Sequence, residues 1–251
     1  MQEFADSLRE IHTLTVRAPR QGLLVAENER LEDYQRTILA RCQSPCREAF
    51  TGFSLPEMHE LTADLWTTST QVNFCARAYP TVAMDHPDAA ALNVLGGFLR
   101  NGYLHRAIRE QGGAYGGGAG QDNGIGAFRF YSYRDPRIEG TLADFDQSIQ
   151  WLLSEKHEWQ AVEEAILGVI SSIDKPASPA GEAKQAFHAE LSGRTRAKQE
   201  AFRNRVREVV LDDLLRVAAT YLTPEQVSTA VITSADRGDK LAIPGLKIQV
   251  L

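Results

Sequence analysis

The chain has 251 residues, of which 43% are hydrophobic, and a formal net charge of −6 at pH 7. This length and composition are sufficient for a sizeable core in one large or two small domains, and no apolar run approaches the roughly 20 residues of a membrane-spanning helix, so we expect no membrane partner. The negative charge argues against a nucleic-acid partner, which needs clustered excess Lys and Arg, and we expect basic peptides to be tolerated better than acidic ones.

The first fifty residues predict a short βα segment. Phe4–Ile11 is amphipathic and predicts a short helix, Gly22–Ala26 predicts a brief buried strand, and Leu31–Cys42 predicts a second helix with an apolar face. The polar, proline-bearing stretch Gln43–Pro56 that follows is the predicted boundary between domains.

The next segment alternates between strand and helix signals. Leu65–Pro80 is rich in β-branched and aromatic residues and predicts one long strand. Asp85 is a suitable N-cap for a helix whose apolar face runs from Leu92 to Leu99. Asn101-Gly102 predicts the end of that helix, because both residues tolerate a left-handed backbone.

A glycine-rich hairpin is predicted next. A second short helix should end near Arg109, and Gly112–Gly118 must then be extended or looped, since each glycine inside a helix costs roughly 1 kcal/mol relative to Ala. Asn123-Gly124 favours a tight turn, and Ile125–Tyr133 predicts an aromatic strand.

The last part of the chain is mainly helical by pattern. Apolar residues at helical spacing recur after Pro136, and the basic run Arg194–Arg207 is interpreted as a solvated helix face. Thr229–Thr233 and Lys247–Leu251 predict two further strands. The whole pattern fits an α+β fold: a two-layer domain with helices on one face of a mixed sheet.

The glycine-rich run has two interpretations. Glycines along a strand leave backbone groups uncovered, so an extended peptide can approach, and the Arg109 guanidinium and Tyr115 hydroxyl can donate to its carbonyl oxygens. Alternatively, the glycines relieve crowding under a helix, and Arg109 and Tyr115 are an ordinary surface charge and a core aromatic. The residues alone leave both interpretations open.

A resemblance to a known family favours the interpretation of the glycine-rich strand as a peptide-binding edge. Ile108–Gly116 (IREQGGAYG), followed by Phe130–Pro136 (FYSYRDP), resembles the C-terminal half of presequence-protease-type metallopeptidases of the pitrilysin and insulinase (inverzincin) family. The resemblance implies the fold of the pitrilysin and mitochondrial-processing-peptidase-like metallohydrolase domain. It also implies that residues 1–50 end a preceding repeat and that residues 51–251 form a C-terminal noncatalytic pitrilysin-like α/β domain.

The resemblance implies a substrate-binding set but no catalytic residue in this chain. The implied set consists of the motif residues Arg109, Tyr115, Gly113, Ala114 and Gly116.

The chain lacks the spacing that a zinc site needs. None of its six histidines belongs to an H-x-x-E-H or H-E-x-x-H run: these are His12, His59, His86, His105, His157 and His188. We therefore predict no metal site in this chain. The glycine-rich run also matches neither the P-loop nor the dinucleotide fingerprint, so no nucleotide site is expected.

The resemblance then implies an enzyme whose active site is built from two halves. Zinc would be bound in an N-terminal half, in the same polypeptide or a separate subunit, and this chain would be the zinc-free part that helps to hold unfolded peptide substrates and is inactive alone. The missing zinc motif leaves a second hypothesis open, a noncatalytic peptide-binding or scaffold subunit of the same fold. A half without its mate exposes apolar surface, so we expect the isolated chain to self-associate.

The cysteines bear on the compartment. Cys42, Cys46 and Cys75 are an odd number without a C-x-x-C pair, which predicts neither a disulfide framework nor a four-cysteine metal site. Reduced thiols suit a cytosol-like compartment, and the N-terminus is polar and acidic rather than signal-like. We therefore expect a cytoplasmic protein.

Overall fold

The computed structural model describes residues 2–18, 21–41, 60–238, 241, 243 and 245–250. The chain divides into two compact units, one of Met1–Met58 with Pro176–Arg194 and one of His59–Lys175 with Thr195–Leu251. The predicted linker, residues 43–56, lies outside the described residues, as do Cys42, Cys46 and His59.

The helices and strands follow one another in a mixed order. The α-helices are α1 (Gln2–Arg17), α2 (Asn28–Arg41), α3 (Ala89–Leu99), α4 (Glu139–Ser154), α5 (Trp159–Ile173), α6 (Pro179–Leu191), α7 (Arg196–Arg207), α8 (Leu211–Tyr221) and α9 (Ala235–Gly238). A π-helix spans Arg100–Gln111, and a 3-10 helix spans Pro224–Gln226. The strands are β1 (Ala63–Thr67), β2 (Asn73–Pro80), β3 (Gly116–Asp122), β4 (Ala127–Asp135), β5 (Ser228–Thr233) and β6 (Lys247–Val250).

The strands of the larger unit form one six-stranded mixed sheet in the order β3-β4-β2-β5-β1-β6. β1 runs parallel to β5 and β6, whereas β2 pairs antiparallel with β4 and β5, and β3 pairs antiparallel with β4. The predicted α+β class, with helices on one face of a mixed sheet, is confirmed.

Side-chain alternation along β4 separates the two faces of the sheet. Phe128 and Phe130 are fully buried, whereas Arg129, Tyr131 and Tyr133 are exposed. On the buried face α3 and the π-helix pack against β3, while α5, α7 and α8 pack against α3. Nearly all of α3 is therefore buried. The opposite face of the sheet, to which Arg129, Tyr131 and Tyr133 point, is called the open face.

The prediction of a strand at Gly22–Ala26 is wrong. Residues 21–27 have an irregular backbone between α1 and α2, and no strand pairs with them among the described residues. A short apolar run becomes a strand only when a neighbouring strand completes its hydrogen bonds, which its sequence does not reveal.

The prediction of one long strand over Leu65–Pro80 is also wrong in detail. Two strands occupy this range, and residues 68–72 form a turn between β1 and β2. The Thr70 hydroxyl satisfies that turn locally: it donates to the Val72 carbonyl at 3.0 Å and accepts from the Val72 amide at 3.3 Å. Thr therefore acts here through its hydroxyl rather than through its preference for strands.

Both predicted limits of the helix after Pro80 are wrong. α3 begins at Ala89, after Asp88, and Asp85 instead pairs with Lys198 at 2.7 Å. The helix also does not stop at Gly102 but continues directly as the π-helix. A Cβ at residue 102 would collide with the Trp151 indole, so the glycine serves close packing rather than chain termination.

Side chains satisfy backbone groups at the start of two helices. The Ser178 hydroxyl caps α6 by accepting from the Gly181 amide at 3.2 Å, and Asp213 accepts from the Val210 amide at 3.1 Å at the start of α8. Phe202 and Val206 give α7 a buried face, as its spacing predicts. No described helix combines the length and hydropathy needed to cross a membrane.

Candidate functional site

Arg109 and Tyr115 lie at one corner of the sheet, where the π-helix leads into β3. Arg109 is in the last turn of the π-helix, and its carbonyl accepts from the Gly113 amide at 3.1 Å. The Ala114 amide donates to the Ile108 carbonyl at 3.1 Å, which closes the turn. Gly113 has φ = +79°, a left-handed conformation that favours glycine, and it lets the chain turn sharply from helix to strand.

Tyr115 is an exposed aromatic residue directly before β3. Its side chain is 64% exposed, and its amide donates to the Arg134 carbonyl at 3.3 Å. The ring contacts Tyr133 with centroids 5.6 Å apart, and the Arg134 Cζ lies 5.5 Å from the Tyr115 ring centroid. These contacts hold the ring and leave the hydroxyl without a hydrogen bond in the described part of the chain. Tyr115 is thus not the core aromatic of the alternative interpretation.

Arg109 is exposed and has no ion pair or side-chain hydrogen bond among the residues that the structure describes. A neighbouring arginine behaves differently. Arg137 donates to the Ala107 carbonyl at 3.2 Å and to Asp144 at 2.7 Å, and it occupies the space that a Cβ on Gly112 would need. Arg137 therefore anchors the end of the π-helix, while the Arg109 guanidinium keeps its donors free.

The glycines of the motif allow close packing. A Cβ at residue 116 would lie 2.5 Å from the Tyr133 hydroxyl oxygen, and one at residue 117 would lie 2.8 Å from the Tyr131 carbonyl oxygen and 3.0 Å from Ile108 Cγ2. Relief of crowding, which the alternative interpretation proposes, therefore applies to Gly117 under the π-helix. Gly116 lies beneath Tyr133, and the Ala114 methyl group is buried, so these residues offer a peptide only their backbone.

β3 is the last strand at one end of the sheet. It pairs with β4 on one side, and its other side has no strand partner in the described ranges. Backbone groups that point away from β4 are therefore open to an added strand, and an extended peptide can pair with such an edge. The position of the glycine-rich strand at the end of the sheet thus gives Arg109 and Tyr115 a free edge beside them.

The substrate-binding set expected from the sequence does not include the aromatic and small residues of the open face. Tyr131 adjoins a shallow groove of about 560 Å³ that is lined by small side chains, among them Ala76, Ala78 and Ala230. The strict alternation in Phe128–Tyr133 (FRFYSY) is the sequence signal that places Arg129, Tyr131 and Tyr133 on one face.

The described residues do not fit a zinc site or a nucleophilic thiol. They contain no group of three or more His, Cys, Asp or Glu side chains that could hold a metal ion. Cys75 is a buried free cysteine, and burial, more than any other effect, raises the pKa of its thiol to about 12. Its thiol is therefore protonated near neutral pH and is not a nucleophile.

Solved structures define the class of fold to which this chain belongs. Pitrilysin is similar with a TM-score of 0.64 at 12% identity, over 89% of this chain and 25% of that chain. A structure described as the inactive domain of an M16 peptidase from Pseudomonas fluorescens has a TM-score of 0.62 at 16% identity, over 81% of this chain and 51% of that chain. The sheet and its helices therefore have the fold of the pitrilysin-type metallopeptidase domain.

The family itself follows from sequence. Residues 64–234 match the PreP C-terminal domain, and the chain belongs to that family. Two curated relatives are named "Presequence protease, mitochondrial": the protein of Kluyveromyces lactis is 37% identical over 164 residues, and that of Yarrowia lipolytica is 39% identical over 185 residues. These matches cover 64% and 72% of this chain but only 16% and 18% of the relatives. The family expected from the motif Ile108–Gly116 is confirmed.

The relatives overturn the cytoplasmic prediction, because their names assign them to mitochondria. Cysteines that show no disulfide framework are compatible with several compartments and do not select the cytoplasm. The polar N-terminal residues of this sequence carried no information about targeting, since the relatives are several times longer than the chain.

Proposed function

We propose that this chain is the C-terminal, zinc-free part of a metalloendopeptidase that degrades unfolded peptides, and that it binds substrate through Arg109 and Tyr115. The observation that carries the proposal is the corner of the sheet where the π-helix leads into β3. An exposed guanidinium and an exposed phenol, neither with a hydrogen-bond partner in the described ranges, stand beside the free edge of β3. Membership of the PreP C-terminal domain family supports the assignment to a peptidase.

The corner can orient an extended peptide in two ways. A peptide strand laid against β3 would form main-chain hydrogen bonds with the free edge, and Gly113, Ala114 and Gly116 set the course of the backbone there. Arg109 offers several donors in a fixed plane, and Tyr115 offers one hydroxyl donor. Both donors are suited to the carbonyl oxygens of the peptide, including the one at the scissile bond.

The proposed enzyme needs a zinc ion that this chain does not bind. We propose that it is bound by an N-terminal half, in the same polypeptide or in a separate subunit, and that the half and the peptide are the partners of this chain. The length of the relatives, of which the chain spans 16–18%, supports a single longer polypeptide. We also propose that residues 51–251 form the noncatalytic domain and that residues 1–50 end a preceding repeat. The change of compact unit between Met58 and His59 supports a boundary in this region.

Reconstitution tests the proposal. The 251-residue chain is mixed with the separately produced zinc-bearing half, and hydrolysis of an unfolded peptide is followed with and without a chelator. Neither part alone should cleave, and the mixture should cleave in a chelator-sensitive way. The double variant Arg109→Gln/Tyr115→Phe is the matched control, and it should associate with the other half but restore little cleavage.

A different result would favour the scaffold hypothesis. If sedimentation shows that the two parts associate and yet no hydrolysis appears, the chain acts as a noncatalytic peptide-binding or scaffold subunit. Equal cleavage by the wild-type and double-variant mixtures would leave the endopeptidase in place but remove the role of the corner.

A further inference from the structure

Arg100 packs beside Gly118 in β3, the end strand of the sheet. Successive residues of a strand point to opposite faces of a sheet. A Cβ at residue 117 would lie 3.0 Å from Ile108 Cγ2, on the face that the helices cover. A Cβ at residue 118 would lie 3.1 Å from Arg100 Cδ and 3.4 Å from the Tyr131 hydroxyl oxygen, on the open face. Arg100 begins the π-helix, and its Cδ therefore lies near the open-face side of Gly118 in the end strand of the sheet.

The π-helix aligns Arg100 with Arg109. Nine residues separate the two, which is about two and a half turns of an α-helix, so an α-helix would place them on opposite sides. Hydrogen bonds from i to i+5 widen the turn, and nine residues then make about two turns. The observed π-helix Arg100–Gln111 therefore brings both arginines to the same side of that helix, the side on which Arg100 lies near Gly118 of β3.

These arginines carry charge that the described residues do not neutralise. The Arg100 Nε donates to the neutral Asn101 side chain at 3.3 Å, and no carboxylate pairs with Arg100 or Arg109 among the described residues. Arg129, on the neighbouring strand, pairs with Asp122 at 3.0 Å. The edge thus has local positive charge, although the whole chain has a net charge of −6.

We propose that Arg100 is a specificity-determining residue that binds a carboxylate of the peptide. The proposal rests on the proposed function, in which an extended peptide pairs with β3. Gly118, against which Arg100 packs, follows Tyr115 by three residues, or about 10 Å of strand. The carboxylate should therefore lie about three residues from the peptide residue that faces Tyr115. An acidic side chain and the C-terminal carboxylate both supply this chemistry.

Paired peptides test the inference on the 251-residue chain. Fluorescent peptides that differ only in Glu or Gln at one scanned position are titrated, each with a free or an amidated C-terminus, and anisotropy gives Kd. The wild-type chain should bind the best Glu peptide about two- to five-fold more tightly than its Gln twin, as expected for an exposed ion pair, and salt should reduce the difference. A difference between free and amidated peptides would identify the C-terminal carboxylate as the source.

Three variants separate a local contact from general charge. Arg100→Gln should remove the Glu preference, and Arg100→Lys should retain part of it. Arg106→Gln is the matched control, because Arg106 is an exposed arginine of the same helix with no ion pair in the described part of the chain. It should keep the preference, and thermal unfolding of each variant shows whether the fold is intact.

Three outcomes would overturn the inference. These are equal binding of the Glu and Gln peptides by the wild-type chain, a preference that survives Arg100→Gln, and an equal loss in Arg106→Gln. Failure of the proposed function looks different: Arg109→Gln and Tyr115→Phe would then bind every peptide as tightly as the wild-type chain. If the wild-type chain binds no peptide at all, both the peptide-binding role of the β3 edge and the role of Arg100 are wrong.

Discussion

Gly113 sets the geometry between Arg109 and Tyr115. Its φ of +79° costs a residue with a Cβ roughly 1–2 kcal/mol, although there is space for the side chain, since the nearest atom, Pro136 Cγ, is 3.5 Å from the ideal Cβ. We expect Gly113→Ala to lower the free energy of unfolding by about that amount and to weaken peptide binding, because the turn that positions both donors is strained. Denaturant unfolding and peptide titration measure the two effects.

Gly193 provides a matched control for the Gly113 variant. It also has a positive φ, +67°, and no described atom lies within 4 Å of its ideal Cβ. Gly193→Ala should therefore cost a similar amount of stability but leave peptide binding unchanged. If both variants weaken binding equally, loss of stability rather than distortion of the corner is responsible.

At the scale of single residues, the sequence identified Arg109 and Tyr115 but not Arg100. The first two lie in the motif Ile108–Gly116, and a glycine-rich run is visible in the sequence itself. The position of Arg100 depends on the continuation of α3 into a π-helix, whereas Asn101-Gly102 predicted a stop. Local propensity could not show that Trp151, some fifty residues further along the chain, packs against Gly102.

Contact between α3 and β3 makes a prediction at the scale of elements. A Cβ at residue 96 would lie 2.7 Å from the Gly120 Cα, a backbone atom that cannot rotate away. Gly96→Ala should therefore force α3 away from β3 and lower the free energy of unfolding by about 1–3 kcal/mol. Gly168→Ala, in α5, is the control: no described atom lies within 4 Å of its ideal Cβ, so helix propensity alone should stabilise the protein by up to about 1 kcal/mol. A loss of stability in Gly168→Ala as large as in Gly96→Ala would contradict this explanation.

A polar contact fixes the start of α3 to α8. The Tyr221 hydroxyl donates to Asp88 Oδ2 at 2.8 Å, and Arg216 Nη1 lies 2.8 Å from Asp88 Oδ1. Burial, followed by the bond to Asp88, raises the pKa of Tyr221 from 10.0 to about 12. For Asp88, burial raises the pKa, but the bonds from Tyr221 and Arg216 outweigh it, so the carboxyl pKa is lowered below 3.8.

The sign of these shifts predicts how stability depends on pH. Unfolded Tyr221 loses its proton near pH 10 and folded Tyr221 near pH 12, so its contribution is complete below pH 10 and is lost between pH 10 and 12. Tyr221→Phe should lower the free energy of unfolding at pH 7 by about 1.5–3 kcal/mol and make the decline above pH 10 shallower than in the wild-type chain. Urea unfolding at several pH values measures both effects.

Tyr131→Phe is the control for the alkaline decline, because the Tyr131 hydroxyl has no hydrogen bond among the described residues. It should keep the wild-type dependence on pH. An identical decline in wild-type and Tyr221→Phe chains would show that the Tyr221–Asp88 bond does not contribute to stability in this range.

At the scale of the whole molecule, the open face predicts self-association of the isolated chain. Phe74, Tyr131 and Tyr133 are 37%, 43% and 39% exposed on the open face of the sheet, opposite the face on which α3 packs. Contiguous exposed apolar surface of this kind marks interaction sites. Phe74→Asp should shift the self-association to higher concentration, whereas Leu153→Asp, at an exposed apolar position on α4, should not. A strict monomer at high micromolar concentration in sedimentation would contradict the prediction.

Alternation and helical spacing predicted the fold class and most elements of the larger unit, because each of these elements buries one face in the core. The smaller unit was less predictable: α1 and α2 have no buried residues, and Gly22–Ala26 is irregular. Register and strand order also could not be predicted, since β1 and β5 pair in parallel across more than 160 residues of sequence.

The most direct test is steady-state peptide cleavage by the proposed endopeptidase, full-length or reconstituted from its two parts, with Tyr115→Phe or Arg109→Lys in this chain. The first change removes one hydroxyl and keeps the ring, and the second keeps the charge but loses the planar group of donors. If the donors act on the oxygen that becomes charged in the transition state, each variant should lose roughly 10²–10³ in kcat, and if they only position the peptide, KM should rise. In both cases kcat/KM falls while the unfolding temperature barely changes, because both side chains are exposed. Unchanged kcat/KM in both variants would contradict the account.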